Sequence, residues 1–267
     1  MGFDTRIFMG KTGRPISYNM HSFHKIVKKR DFENMKKWKE AFLYLAMGAM
    51  LIVTGFLAVR ETAFFVTSRQ AEIKKTCVVI DAGHGGDDPG KIGINGAAER
   101  DINLQVAQKV KMFLEMEGIE TVMTRKDEKG LYDSGAENKK VQDMKRRIAM
   151  IEETAPEITV SIHQNSYPEE YVKGAQVFYY KDSPESKTAA EIMQKSLKRR
   201  LDPENHREAK ANASYYLLKK TSTPVIIVEC GFLSNREEAA KLAEEDYQEQ
   251  VAWAVFMGIM QTLNAGK

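Results

Sequence analysis

Residues 77–83 read CVVIDAG, and the chain continues as HGGDDPG over residues 84–90. The apolar run predicts a buried strand, and the glycines that follow it predict a sharp turn at the carboxyl end of that strand. Beyond this point, short apolar runs alternate with segments whose apolar residues recur at helical spacing. Such alternation is typical of an α/β domain built on a largely parallel sheet.

The alternating pattern extends over residues 76–265 and leaves no room for a second exported domain. Strands are predicted over residues 77–83, 119–125, 158–165, 174–180, 215–220 and 225–232. Helices are predicted over residues 101–117, 139–153, 185–201, 236–246 and 247–263, and polar loops over residues 126–138 and 202–213. We therefore expect one catalytic domain, which spans residues 76–265.

The charge of the chain is unevenly distributed. The 267 residues carry a net charge of +3. Residues 1–40 hold ten basic and four acidic side chains, so the remainder of the chain is slightly acidic. An acidic body disfavours a nucleic-acid-binding surface spread over the whole chain, and we expect no nucleic-acid partner.

Residues 41–59 read AFLYLAMGAMLIVTGFLAV and contain no charged side chain. This length is close to the ~20 residues that cross a bilayer as a helix. Because basic residues precede the run, residues 1–40 are predicted to be a cytoplasmic leader and residues 76–265 to lie outside the cytoplasm, after a linker at 60–75. No clear cleavage site follows, which favours an uncleaved signal anchor over a secreted product.

Two alternatives concern this end of the chain. The apolar run at 41–59 could be a buried core helix, although no other segment is as continuously apolar. Residues 1–34 lack a periodic apolar pattern and are predicted to lack regular structure. Met35 followed by KKWKE would itself begin a compact signal-like segment, so translation that starts at Met35 is an alternative.

Two of the five histidines directly follow predicted apolar strands. His84 lies between glycines after the first strand, and His163 lies in SIHQN at the end of the third. Ligand sites form at the carboxyl ends of parallel strands, so both imidazoles are candidates for chemistry. The glycine-rich turn fits neither the dinucleotide nor the Walker phosphate pattern. The other histidines, which lie in polar surroundings, are predicted to be solvated: His21, His24 and His206.

Two glutamates complete the candidate site. Glu99 stands near the start of the first predicted helix, where an acid is commonly just a partner of the helix dipole. Glu229 lies inside the apolar run VIIVECGF, where an acid is costly to bury unless it is paired or functional. Two histidines and one carboxylate would leave an open position on tetrahedral zinc, and a separate carboxylate could act as a base. The pattern is therefore compatible with a zinc hydrolase.

The motifs that carry these residues resemble a known family. In chain order they read VVIDAGHGGDDPG, ERDINLQVA, TRKD, SIHQN, GAQVFYY and VIIVECGFLSN. They are similar to the motifs of the zinc-dependent N-acetylmuramoyl-L-alanine amidases of the amidase-3 type, over roughly residues 76–264. Matched residue by residue, the metal ligands of that family fall on His84, Glu99 and His163, and its catalytic glutamate falls on Glu229. Ala82 stands where many relatives have proline.

The resemblance implies a twisted, mostly parallel sheet flanked by helices, and one zinc ion per chain. It also implies hydrolysis of the amide between the lactyl group of N-acetylmuramic acid and L-alanine in peptidoglycan. Within the family the sequence looks most like the germination-specific spore-cortex amidases, whose product is converted to muramic-δ-lactam. A vegetative cell-wall amidase and a non-catalytic peptidoglycan-binding scaffold are the alternatives. No plug segment is evident, so we expect an open groove, and no residue indicates a protein activator.

Other residues have less specific roles. Asn165, two residues after His163, should point to the same face of the strand and could bind substrate or belong to the loop. Arg125 and Arg147 are predicted to brace the sheet edges. Cys77 and Cys230 could form a disulfide in an exported domain, but buried thiols are favoured, and a nucleophilic role for Cys230 is disfavoured beside Glu229.

Overall fold

The computed structural model describes residues 7–9, 15–17, 28, 35–40, 42–57 and 76–265. The chain divides into two compact units, Met1–Lys74 and Lys75–Lys267. The predicted linker at residues 60–75 lies outside the described residues.

The first unit contains a short strand pair and one long helix. Strand β1 (Ile7–Met9) pairs antiparallel with strand β2 (Pro15–Ser17), so the prediction that residues 1–34 lack regular structure is wrong for these six residues. Strands of three residues are too short to show the alternation by which a sequence pattern is recognised. Helix α1 (Met35–Leu57) is long and apolar enough to cross a membrane, with a mean hydropathy of 1.8. Its apolar window is 0% buried, which does not fit a core helix.

The second unit is a six-stranded sheet flanked by helices. Its strands are β3 (Cys77–Ala82), β4 (Glu120–Met123), β5 (Ile158–Asn165), β6 (Gln176–Tyr180), β7 (Lys210–Asn212) and β8 (Val225–Phe232). Its helices are α2 (Glu99–Met116), α3 (Lys139–Thr154), α4 (Pro184–Leu201), α5 (Tyr216–Lys220), α6 (Arg236–Leu242) and α7 (Glu245–Ala265).

The strand order is β4-β3-β5-β8-β6-β7. Strand β6 runs antiparallel to β8, and the other neighbouring pairs of this sheet are parallel. The predicted α/β fold with a mostly parallel sheet is therefore confirmed. The pairs β3·β5 and β5·β8 bring together the three strands whose ends carry the candidate histidines and Glu229.

Alternation along the strands divides the core into two layers. The larger layer packs alternate strand residues such as Ile80, Val160 and Val228 against helices α2, α4 and α7. The smaller layer packs the intervening residues, such as Val79 and Ile227, against α3 and α5. Because side chains alternate between the two faces of a sheet, the polar residues at odd-numbered positions near the strand ends lie on the same face as α3 and α5.

The predicted strand at residues 215–220 is wrong. This segment begins in an extended conformation at Tyr215 and then forms helix α5, whose Leu217 and Leu218 are buried in the smaller core layer. Asn212 Oδ1 accepts the Tyr215 N–H at 2.8 Å and so helps to start the helix. A short apolar run such as YYLLKK does not distinguish a strand from a buried helical turn.

The predicted loop at 202–213 contains edge strand β7, which pairs with β6 through only three residues, Lys-Ala-Asn. Helix α2 begins at Glu99 rather than at residue 101, and helix α6 ends at Leu242 rather than at residue 246. Of these differences, the start of α2 matters most for the site, because it places the Glu99 carboxylate in the first helical turn.

Candidate active site

The loop that follows strand β3 turns through a left-handed residue. His84 has a φ of 63°, a conformation that is uncommon for a residue with a β-carbon. Its Nε2 lies 3.1 Å from Glu99 Oε1, and its Nδ1 lies 3.0 Å from Asp88 Oδ2. The two ring nitrogens thus face different carboxylates, which fixes the orientation of the imidazole.

Glu99 joins the two histidines. Its Oε1 lies 2.9 Å from His163 Nδ1 and accepts the Gln164 N–H at 3.1 Å, while its Oε2 accepts the Lys91 N–H at 2.8 Å. The carboxylate is 2% exposed. Burial acts to raise the pKa of Glu99, but hydrogen bonds from His163 and His84 outweigh it and hold that pKa far below its usual range. Glu99 is therefore ionised, as a metal ligand must be.

One ligand atom from each of His84, Glu99 and His163 lies within 4.8 Å of the other two, as metal binding requires. The imidazole rings stand at 78° to each other with their centroids 5.0 Å apart. Burial lowers the pKa of His163, and the hydrogen bond with Glu99 more than offsets this, so the pKa is raised overall.

Two glycines make room for this cluster. A β-carbon on Gly83 would lie 2.2 Å from His163 Cε1. A β-carbon on Gly90 would lie 2.5 Å from Glu99 Oε2 and 2.7 Å from His84 Cδ2. The donor set of two imidazoles and one carboxylate, packed where a side chain would be, fits a zinc-type ion.

Glu229 lies beside the cluster, on the neighbouring strand. It is the register partner of His163 in the parallel pair β5·β8. The side chain is 8% exposed, and its Oε2 is buried without a hydrogen-bond partner among the described residues. Burial, together with the charge of Glu99, raises the pKa of Glu229 to about 7 even though the histidines act to lower it. A buried carboxyl with a pKa near neutrality is suited to proton transfer.

A cleft of about 790 Å³ opens over these residues. The loop after β3, Tyr132 and the start of α3 line one side, and the end of β5 and the residues Tyr215–Leu217 line the other. Asn165 lines the same cleft, and its Oδ1 accepts the Ser166 N–H at 2.8 Å. Its side-chain amide NH₂ makes no hydrogen bond to any other residue that the structure describes.

The other candidates occupy different environments. His206 is exposed, as predicted, and His21 and His24 lie outside the described residues. Cys230 is buried and Cys77 is partly buried, and no disulfide joins them. Their strands are not neighbours, because β5 lies between β3 and β8, and the two cysteines stand towards opposite ends of these strands. Burial raises the pKa of the Cys230 thiol to about 12, which makes it a poor nucleophile.

Arg125 and Arg147 brace the sheet at the end of the interior strand β3, whereas the sequence predicted bracing of the sheet edges. Both donate to the Ala82 carbonyl at the end of β3, at 2.9 Å and 2.7 Å respectively. Sequence reasoning missed Asp88, the partner of His84, and the buried Asp81 beneath the site. Each had a signal: Asp88 follows His84 by four residues, and Asp81 interrupts an apolar strand.

These features define an α/β enzyme whose catalytic cleft lies at the carboxyl ends of parallel strands. The cleft holds a potential metal-binding cluster beside a buried carboxyl group that is suited to proton transfer in hydrolysis. The chain belongs to the N-acetylmuramoyl-L-alanine amidase family, Amidase_3, which matches residues 78–261. It is an enzyme of that amidase class.

Several relatives support this assignment. A germination-specific N-acetylmuramoyl-L-alanine amidase from Bacillus subtilis is 34% identical over 187 residues, which are 69% of this chain and 78% of the relative. The CwlD amidase from Clostridioides difficile, solved in complex with the GerS lipoprotein, is 37% identical with a TM-score of 0.69 and aligns with 71% of this chain and 99% of its own. The amidase AmiC2 of Nostoc punctiforme is 33% identical with a TM-score of 0.62, over 71% of this chain and 98% of its own.

Proposed function

We propose that this chain is a zinc hydrolase that cleaves the amide between the lactyl group of N-acetylmuramic acid and L-alanine in peptidoglycan. The observation that carries the proposal is the placement of Glu229 opposite His163, within the cleft that holds the His84, Glu99 and His163 cluster. That placement puts a proton-transfer group beside a potential metal site, as amide hydrolysis requires.

His84, Glu99 and His163 would hold one zinc ion per chain. When bound, zinc supplies Lewis acidity that polarises the amide carbonyl and lowers the pKa of water towards about 7. The chain prepares this site in advance. Asp88 orients the His84 ring, the backbone N–H of Lys91 and of Gln164 bind the Glu99 carboxylate, and Gly83 leaves space for His163.

Glu229 would move the proton. Its carboxylate accepts a proton from the attacking water as the oxygen–carbon bond forms, and then donates that proton to the alanine nitrogen as the carbon–nitrogen bond breaks. Glu229 lines the cleft, and no described residue forms a hydrogen bond with its Oε2. Asn165 would bind substrate, because its amide NH₂ is available on the cleft wall to donate to a carbonyl of the glycan or the peptide.

The relatives and helix α1 support a proposal for the biological setting. We infer that the enzyme acts on spore-cortex peptidoglycan, as a step towards muramic-δ-lactam. The inference is supported by the relative that is named as a germination-specific amidase. Helix α1 would anchor the chain in a membrane, with the basic leader in the cytoplasm and the cleft outside. A lipoprotein partner is proposed by analogy with the CwlD–GerS complex.

The activity is tested with the full-length protein in detergent, incubated with cortex-type peptidoglycan with and without zinc. We expect stoichiometric zinc and release of free stem peptides that begin with L-alanine, and we expect a chelator to stop the release. Release that survives complete removal of metal would refute the zinc mechanism. Protein that holds no zinc and releases no peptide would favour a peptidoglycan-binding scaffold.

The setting is tested separately. Spores of a strain that lacks this gene should contain cortex without muramic-δ-lactam if the enzyme acts there. Normal lactam together with a defect in the separation of growing cells would instead assign the same chemistry to the vegetative wall.

A further inference from the structure

A buried arginine lies directly beneath the candidate metal cluster. Arg147 is 2% exposed and extends from helix α3 to the end of strand β3. Its Nη1 donates to Asp81 Oδ1 at 2.6 Å and to the Ala82 carbonyl at 2.7 Å. Its Nη2 donates to the His84 carbonyl at 2.5 Å, and its Nε donates to Asp143 Oδ2 at 2.6 Å. One guanidinium therefore binds two carboxylates and two backbone carbonyls.

The bond to the His84 carbonyl falls on a residue that needs support. His84 has a φ of 63°, where its β-carbon crowds the following carbonyl. Such conformations persist only when the surrounding structure over-determines them. Both neighbouring residues in the turn, Gly83 and Gly85, are glycines and supply no side-chain packing. Among the described residues, Arg147 is the side chain that donates to the His84 carbonyl.

The Asp81 carboxylate, which binds the guanidinium, is itself held by two hydroxyl groups. Asp81 Oδ1 also accepts from Thr124 Oγ1 at 2.7 Å, and Asp81 Oδ2 accepts from Ser161 Oγ at 2.5 Å. Thr124 directly follows strand β4, and Ser161 belongs to strand β5. A network of hydrogen bonds that links β3, β5 and the residue after β4 therefore ends at the backbone carbonyl of His84.

We propose that Arg147 is a positioning residue that fixes the backbone of His84 and thereby sets the zinc affinity of the site. This inference rests on the proposed zinc function. The position needs the planar guanidinium group with its several N–H donors, because the two carboxylates and two carbonyls that accept from it lie in different directions around it. A lysine would keep the charge near Asp81 and Asp143 but could not reach every acceptor at once.

The chain offers a matched control. Arg125 is also buried, and it binds the carbonyls of Ala82, Gly83 and Arg100 at 2.9, 3.0 and 2.6 Å. None of these carbonyls belongs to His84, Glu99 or His163. An arginine-to-lysine change at position 125 therefore disturbs the same end of strand β3, including the peptide group that precedes His84, without removing a hydrogen bond to the carbonyl of a proposed ligand.

The test compares Arg147→Lys and Arg125→Lys in the full-length protein in detergent. Zinc affinity is measured by competition with a chromophoric chelator, and folding of the chelated protein by circular dichroism. Loss of support behind a metal ligand typically weakens metal binding about 10- to 100-fold, and we expect a loss in that range for Arg147→Lys. We expect Arg125→Lys to stay within about threefold of wild type. Equal affinities for wild type and Arg147→Lys would overturn the inference, as would equal losses for the two variants.

A second readout separates ligand geometry from general stability. After cobalt replaces zinc, the visible absorption of the bound ion reports the arrangement of its ligands. We expect a changed spectrum for Arg147→Lys and an unchanged one for Arg125→Lys, and an unchanged spectrum in both would overturn the inference.

If Arg147→Lys does not fold, Asp143→Asn replaces it. This change weakens the bonds that Asp143 accepts from Nε and Nη2 of Arg147 and leaves the bonds of Arg147 to Asp81 and to the two backbone carbonyls in place. We expect a smaller loss of zinc affinity, at least about threefold. Affinity unchanged by Asp143→Asn in that situation would overturn the inference. A wild-type protein that binds no zinc would refute the proposed function itself, so the two failures are distinguishable.

Discussion

His163 and Glu229 are register partners on adjacent parallel strands, β5 and β8. Neighbouring strands are separated by about 4.8 Å, so the sheet itself sets the spacing between the proposed ligand and the proposed base. Just beyond this pair the register shifts, and Asn165 pairs with Phe232. The regular pairing therefore ends where the catalytic cleft begins.

The first prediction concerns the base. Glu229→Gln should lower kcat by about 10²- to 10⁴-fold, because the amide cannot accept the proton of the attacking water. Zinc content should stay at one ion per chain, because Glu229 is not among the proposed ligands. Both quantities are measured on the same purified preparation.

Glu238→Gln is the matched control. Glu238 is a half-buried acid whose pKa, like that of Glu229, is raised mainly by burial, but it accepts from the N–H groups of Phe232 and Gly174. Its kcat should change by no more than about threefold, because the Glu238 side chain does not line the cleft. Equal losses in the two variants would remove the case for Glu229 as the base.

A second prediction concerns the pH dependence of the activity. Burial raises the pKa of Glu229 to about 7, and a base must be ionised to work. We expect kcat/KM to fall by up to about tenfold as the pH drops from about 8 to about 6. Glu229→Asp should shift the midpoint of this fall along the pH axis. A nearby dication lowers a carboxyl pKa, so this limb should lie at or below pH 7. A flat profile from pH 5 to 8 would contradict the assignment.

A third prediction tests the space that glycine leaves for the cluster. Gly83→Ala would place a β-carbon 2.2 Å from His163 Cε1, so the imidazole must move away. Zinc affinity should fall at least about tenfold in chelator competition, because tetrahedral zinc tolerates little displacement of a ligand. A β-carbon added at Gly135 would meet no other atom within 4 Å, so Gly135→Ala should leave the affinity unchanged. Full affinity in Gly83→Ala would show that His163 is not a ligand.

A fourth prediction concerns acid stability. Burial acts to raise the pKa of Asp81, but Arg147, Ser161 and Thr124 outweigh it and lower that pKa from 3.8 to about 2. Because the folded-state pKa lies below the unfolded value, ionised Asp81 stabilises the fold above about pH 4. This contribution, about 2 kcal/mol, is lost as the pH falls towards 2.

Urea denaturation of chelated wild-type protein and Asp81→Asn measures the effect. The difference between their free energies of unfolding should shrink by about 2 kcal/mol between pH 7 and pH 2. A difference that is independent of pH would show that the carboxylate charge at position 81 does not stabilise the fold.

A fifth prediction concerns the cysteine beside the base. Cys230 is 2% exposed, and burial raises the pKa of its thiol to about 12, so no thiolate forms near neutral pH. Cys230→Ala should keep kcat within about threefold while lowering the free energy of unfolding by about 1 kcal/mol through lost packing. Activity assays and thermal denaturation measure the two effects. A loss of activity as large as that of Glu229→Gln would indicate a nucleophilic thiol.

Sequence patterns located the proposed site because its residues stand at positions that strand alternation controls. His163 lies near the end of one apolar run and Glu229 lies inside another, and parallel pairing of their strands brings the two side chains together. The antiparallel direction of β6 was not predictable, because a run such as GAQVFYY carries no information about strand direction. The contact between Asp88 and His84 accompanies a left-handed backbone at His84, a conformation that is uncommon for histidine and that the sequence pattern did not predict.

Helix α5 shows the converse limit. Tyr215 and Leu217 line one side of the cleft because the chain turns helical there to bury Leu217 and Leu218 under the sheet. The local sequence permits a strand equally well, and only the tertiary packing decides between the two. The width of the cleft is therefore a property of the assembled core.

At His84, the residue type that the proposed metal site needs is not the residue type that best adopts the left-handed backbone conformation. Glycine would adopt a φ of 63° without steric cost, whereas histidine does not. A lineage released from the need to bind metal would therefore gain stability by replacing this histidine with glycine. Histidine at position 84 is therefore explained by its proposed role as a metal ligand and not by the requirements of folding.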